Sequence, residues 1–170
     1  MNDKYHGFIR TLHWLMFVLF TIMFVLGFVM VEFKESQPWA MYNFHKSTGV
    51  LLFGLVIIRL LARWITDVPP LAAEMSATNR RISKSVIHFM YLLMVILPIS
   101  GYALSNVAGY QVSFYGLELP QIFPKNEEWE SIPEMVHEYG AYIFLGFIGL
   151  HLLGVITHHI KKIEILRRIT

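Results

Sequence analysis

Residues 137–160 read HEYGAYIFLGFIGLHLLGVITHHI, an apolar run long enough to cross a bilayer, with histidines at its start, middle and end. Fourteen residues separate His137 from His151. At about 3.6 residues per turn that is close to four whole turns, so both imidazoles leave one helix face, about 21 Å apart along the axis. Polar ionisable groups are costly in hydrocarbon unless each has a partner. The stripe therefore predicts two sites stacked through a membrane, each shared with another helix and each suited to a cofactor.

The rest of the 170-residue chain fits that setting. It is 55% hydrophobic and 15% aromatic, too apolar for a soluble domain of this size, and reads as one integral membrane domain over 1–170. No nucleic-acid partner is expected; the partners are membrane lipid and whatever the sites bind. Cysteine is absent, which excludes disulfides, thiolate metal sites, iron–sulfur clusters and covalently attached c-type haem. Four runs are long enough to span, at about 8–31, 41–64, 84–105 and 133–160. The expected fold is an all-α membrane protein, a bundle of four transmembrane helices. The first run is too long for a signal-peptide core and has no small-residue cleavage site after it, so it is read as a spanning helix.

Charge gives the orientation. With the N-terminus inside, eleven of the fourteen Lys and Arg fall on the inner side, and only Lys34, Lys46 and Lys125 fall outside. Eight of the twelve acids lie outside (Glu32, Glu35, Glu118, Glu127, Glu128, Glu130, Glu134 and Glu138). The positive-inside rule then places both termini in the cytoplasm.

The partners for the histidine stripe follow from depth. On the outer side, His45 near the start of the second helix faces His137. The inner side offers His13, His88, His151 and His158. Using His158 would set the two sites about 31 Å apart, poor for passing electrons, whereas His151 brings them closer. His13 is therefore paired with His151, although depth alone leaves His158 open. His88 competes with His13 for depth and is read as a structural or quinone-side histidine, with ligand as the alternative. Arg59 lies fourteen residues below His45 on one helix face and suits an anionic cofactor group such as a haem propionate. Arg63 reads as an inside anchor, and His6 as a surface residue.

Glycines support a flat, bulky occupant. Gly27 and Gly101 fall at the outer level, while Gly49, Gly140 and Gly154 each follow a histidine by three or four residues. Small residues there let a macrocycle lie against a helix, and they also let helices pack closely. A zinc site would gather three or four ligands, often carboxylates. Two imidazoles at one level suit a six-coordinate haem iron, which favours electron transfer over oxygen binding. Pro38 should end the first outer loop, Pro98 should kink the third helix, and the long aromatic and acidic connection from Ser105 to Pro133 should fold as a lid on the outer helix ends.

Several short motifs occur in order: R-x-x-H-W at 10–14, H-K-S-x-G at 45–49, I-R-L at 58–60, His88 with Tyr91, L-P-I-S-G-Y at 97–102, H-E at 137–138, G-x-H at 149–151 and H-H at 158–159 before a basic tail. In this order the chain resembles the prokaryotic cytochrome b561 family of four-helix, di-haem inner-membrane cytochromes over nearly its whole length. The resemblance implies two b haems, the inner held by His13 and His151 and the outer by His45 and His137. It also implies electron exchange with ubiquinone or another quinone near the cytoplasmic end, where His158, His88 and Arg59 would line the site.

The expected function is therefore transmembrane electron transfer between a periplasmic-side donor and the quinone pool of the bacterial inner membrane, as a carrier or a quinone-linked oxidoreductase. Some relatives resemble superoxide oxidases, so superoxide enters as a donor. The outer segments oppose it, with three cations against eight acids, net −5, because like charge slows an anion's approach. The alternative is a cytochrome b membrane-anchor subunit of a larger dehydrogenase or hydrogenase. A four-helix metal transporter is the reading from another class.

Overall fold

In the computed structural model, residues 4–36 and 39–170 are described. Four long helices dominate: α1 (Gly7–Glu32), α2 (Trp39–Ile65), α3 (Ala77–Val107) and α4 (Ser131–Ile160). Each is long and apolar enough to cross a membrane. The shortest has 26 residues, about 39 Å of helix against about 30 Å of hydrocarbon. α1 packs on α2, α2 on α3, and α3 on α4.

The bundle is dressed for lipid. Phe17, Val18, Val25, Ile58, Leu61, Leu92, Leu152 and Leu153 point outward, an arrangement that water would not tolerate on this scale. The interior is a narrow seam of Met16, Leu52, Val56, Met94, Leu97 and Phe144. Phe144, midway between His137 and His151, is 1% exposed and meets Phe20 edge-on at a centroid distance of 5.2 Å.

One end of the bundle holds both chain termini. The Tyr5 amide donates to the Arg168 carbonyl at 3.1 Å and the Trp14 indole donates to the Ile169 carbonyl at 3.1 Å. Arg168 also reaches the Pro70 carbonyl, tying the α2–α3 connection to the same end. We call this the terminal end. His6 caps α1 there by accepting from the Phe8 amide.

α3 begins seven residues before the expected Lys84. Ser76 caps it by accepting from the Asn79 amide, and the Arg80 side chain folds back to the Met75 and Ala73 carbonyls. A capped first turn recruits polar residues that hydropathy alone leaves in a loop. Arg80, Arg81 and Lys84 are thus helical. α3 also runs unbroken through Pro98.

The opposite end is roofed by the α3–α4 connection. A two-residue hairpin pairs β1 (Ser113–Phe114) with β2 (Leu117–Glu118). Its turn residues, Tyr115 and Gly116, both have positive φ, 48° and 99°, as a tight primed turn requires. Ser47 on α2 donates to the Ser113 carbonyl at 2.8 Å and accepts from the Tyr115 amide, while Thr48 and the Tyr115 hydroxyl lie 3.0 Å apart. Asn106, 1% exposed, accepts from the Ile122 and Phe123 amides. We call this the hairpin end. Pro38 lies outside the described residues.

Candidate functional site

The histidines on α4 meet partners on two other helices. At the hairpin end His137 faces His45 from α2, ring centroids 6.1 Å apart and planes at 75°. At the terminal end His151 faces His13 from α1, at 6.4 Å and again 75°. Among the described residues no cluster of three or more His, Asp or Glu forms at either level. An imidazole nitrogen sits about 2.0–2.1 Å from a first-row metal. Two such bonds on opposite sides of one ion, plus the two ring radii, span about 6.3 Å between centroids. Both pairs therefore have a spacing at which the two imidazoles could hold one metal ion between them, and among the described residues no hydrogen bond joins the two rings of either pair.

Surroundings at the hairpin end fit a macrocycle. A cavity of 430 Å³ opens beside His45 and His137, bounded by α1 at Phe24 and Gly27 and by α3 at Pro98 and Gly101. A Cβ on Gly101 would stand 2.9 Å from the His137 ring, closer than side chains approach one another. A Cβ on Gly27 would reach the His45 ring at 3.9 Å, an ordinary contact. Nδ1 of His137 lies 3.0 Å from the Leu97 carbonyl and 3.2 Å from the Ser100 hydroxyl. An Nδ1–H donated to that carbonyl fixes the tautomer and leaves Nε2 with the free lone pair, the usual way a ligating histidine is oriented. Nδ1 of His45 is buried without a partner.

The other glycines differ from one another. Gly140 lies against Leu97, 3.0 Å from its would-be Cβ, and serves α3–α4 packing. A Cβ on Gly154 would meet nothing within 4 Å, so helix contact there does not require glycine.

At the terminal end the distinctive group is Arg59, 8% exposed. Its Nε donates to the Tyr91 hydroxyl at 2.9 Å and Nη1 reaches the Ile9 carbonyl at 3.4 Å, one turn before His13. Both ion pairs among the described residues lie elsewhere, at Lys125–Glu127 and Glu164–Arg167. A buried guanidinium without a carboxylate is costly, and an anionic cofactor group beside it would supply the missing charge. With the imidazole spacing and the buried His45 nitrogen, the chain's own residues fit b-type haem.

His158 and His88 stand apart from the pairs. His158 is 6% exposed; its Nδ1 is 2.6 Å from the Gly154 carbonyl and its Nε2 is buried without a partner. His88 is exposed on the lipid-facing side of α3, with Nδ1 2.6 Å from the Lys84 carbonyl. Among the described residues no hydrogen bond or ring contact joins it to His13 or His151. Sequence reading missed the roles of Leu97, Ser100 and Tyr91 as supports, and of Ser47 and Thr48 as anchors for the roof. Ser47 and Thr48 come two and three residues after His45, within the H-K-S-x-G run, which is the sequence signal they carry.

Comparison with known proteins agrees with this chemistry. The family model described as prokaryotic cytochrome b561 matches residues 4–170. The chain is similar to cytochrome b561 homolog 2 of Escherichia coli (strain K12), 27% identical over 170 residues, covering 98% of this chain and 90% of that protein. It is also similar to the probable superoxide oxidase CybB of Yersinia pestis, 28% identical over 163 residues, covering 94% and 90%. The chain thus belongs to the prokaryotic cytochrome b561 family, as a multi-pass, haem-binding transmembrane cytochrome b that carries electrons.

Proposed function

We propose that the protein passes electrons through two b haems in series, one held by His45 and His137 at the hairpin end and one by His13 and His151 at the terminal end, with Arg59 facing a propionate of the latter. The observation that carries this reading is the pair of imidazole couples at 6.1 and 6.4 Å on one shared helix. When bound, each haem supplies a one-electron iron couple. The protein's own part would be to hold each haem with two imidazoles, which favours electron transfer over oxygen binding, and to keep water from the seam around Phe144.

By the distribution of Lys and Arg, the terminal end faces the cytoplasm and the hairpin end the periplasm of a bacterial inner membrane. Electrons would then run between a periplasmic-side donor and a quinone near the terminal end. The buried, unpartnered Nε2 of His158 supports a hydrogen-bonding role toward a quinone carbonyl there. The outward position of His88 is compatible with a lipid-side approach. Superoxide comes in as a donor from the Yersinia relative's name, but two of the three outer cations that could steer it are engaged: Lys125 is 3.3 Å from Glu127 and Lys46 lies over the Tyr110 ring at 5.1 Å.

Purified full-length protein should carry two haems per chain and show a low-spin bis-histidine spectrum on reduction. A membrane-inserted, folded but colourless protein would sink the proposal. Reduction by superoxide that a dismutase abolishes, set beside reduction by a quinol, tests the donor.

A further inference from the structure

The two imidazole pairs differ most in the charge beside them. Arg59 is buried, and among the described residues no carboxylate pairs with it. Its orientation is set by Tyr91, whose hydroxyl accepts from Nε at 2.9 Å. Tyr91 is itself held from the other side. Arg63 stacks between two phenol rings, its Cζ 5.6 Å from the Tyr91 centroid and 5.6 Å from that of Tyr5, well within cation–π range. One tyrosine thus connects two guanidinium groups to the side of the bundle that carries His13 and His151. The cavity at the hairpin end is lined instead by Lys46, Glu134 and Glu138, one cation against two acids.

We propose that Tyr91 is a positioning residue that aims the Arg59 guanidinium at the His13–His151 pair, and that this charge makes the terminal-end haem the first to be reduced, at a higher potential than the hairpin-end haem. The inference rests on the two-haem reading. Its physical basis is Coulombic: reduction removes one unit of positive charge from the iron, so a fixed cation nearby favours the reduced form, and burial keeps that cation from being screened. Neutralising a propionate, Arg59 acts in the same direction. Electrons delivered at the hairpin end then collect at the terminal end.

The test is a spectroscopic redox titration of the purified full-length protein with its haem content measured on the same sample. Two one-electron waves are expected, and the upper one should be the wave that His151→Ala removes. Arg59→Gln should lower the upper wave by tenfold or more in equilibrium constant, about 59 mV for a one-electron couple, and leave the lower wave in place. Arg59→Lys should recover most of the loss. Tyr91→Phe should lower the upper wave by less, with both haems retained, a readout that a merely structural role would not move.

An upper wave that survives His151→Ala overturns the proposal, as does a Tyr91→Phe protein with two haems and unmoved waves. If Tyr91→Phe fails to hold its haem, the Arg59 pair decides: lowering by Gln with recovery by Lys supports the proposal, and an unmoved wave overturns it. One haem or none in the parent protein overturns the two-haem reading and this inference together, and stoichiometry identifies that case before any titration.

Discussion

The hairpin end and the terminal end present the same pair of imidazoles in different settings. Ring separations of 6.1 and 6.4 Å and identical interplanar angles of 75° make the couples near copies. At the hairpin end the shape is specified: a 430 Å³ cavity, a glycine in contact with a ligand ring, a carbonyl that orients His137 and a hydrogen-bonded roof. At the terminal end the charge is specified, by a buried arginine braced by a tyrosine. The difference teaches that one helix stripe can present the same imidazole geometry twice while the neighbouring helices give each pair a different setting.

The comparison breaks most visibly at the ligands. His45→Ala or His137→Ala should halve the haem content and leave a low-spin spectrum from the other site, and His13→Ala or His151→Ala should do the converse. Loss of both haems from any one substitution would show that the two ends are not independent.

A smaller effect should separate shape from ligation. Gly101→Ala places a methyl 2.9 Å from the His137 ring, so the ring must shift and hairpin-end haem occupancy should fall while the other site keeps its spectrum. Gly54→Ala, where a Cβ meets nothing within 4 Å, is the control and should retain both. Equal losses in the two variants would deny Gly101 its role.

The roof should respond next. Tyr115→Phe removes the hydroxyl near Thr48, and a lost hydrogen bond of about 1 kcal/mol raises the open population by about fivefold. Oxidation of the hairpin-end haem by a small aqueous oxidant should quicken accordingly. Asn106→Ala, which leaves the Ile122 and Phe123 amides without their acceptor, should loosen the same connection further, seen as faster amide hydrogen exchange over 119–126. No acceleration in either variant would show that the roof does not limit access.

The smallest expected change is at His88. Because it lies exposed and away from both couples, His88→Ala should leave haem content and both spectra unchanged. Loss of the terminal-end haem in that variant, with His13→Ala sparing it, would reverse the assignment.

How much of this was legible follows from which interactions repeat along the chain. Helix existence and the stacking of His137 over His151 are periodic, so spacing alone disclosed them; depth gave His45 as the partner of His137, while at the inner level it left His13, His88 and His158 in play until the spacing of the two sites and the family resemblance narrowed them to His13 with His151. The α3 start was missed because a serine cap at Ser76 overrides hydropathy. The orientation of His137 depends on a backbone carbonyl at Leu97, which any residue supplies and no sequence pattern marks. Gly101 was readable as space at the correct height, whereas Gly140 and Gly154 looked equivalent and are not, because helix packing also selects small residues. Arg59 was conspicuous as a charge in an apolar run. Its brace, Tyr91, sits on another helix and became visible only when the two were brought together.

The seam of Met16, Leu52, Val56, Met94, Leu97 and Phe144 has a consequence for energetics across the bilayer. Among the described residues it offers no chain of polar side chains along which a proton could travel beside an electron. On the proposed two-haem route, an electron moving from one end to the other would carry its charge uncompensated through the membrane field. A full crossing is worth about 2.3 kcal/mol per 100 mV, so on the proposed route, with electrons moving inward, turnover would be tied to the membrane potential, and the drop in redox energy between the two ends would have to exceed whatever share of that potential falls between them.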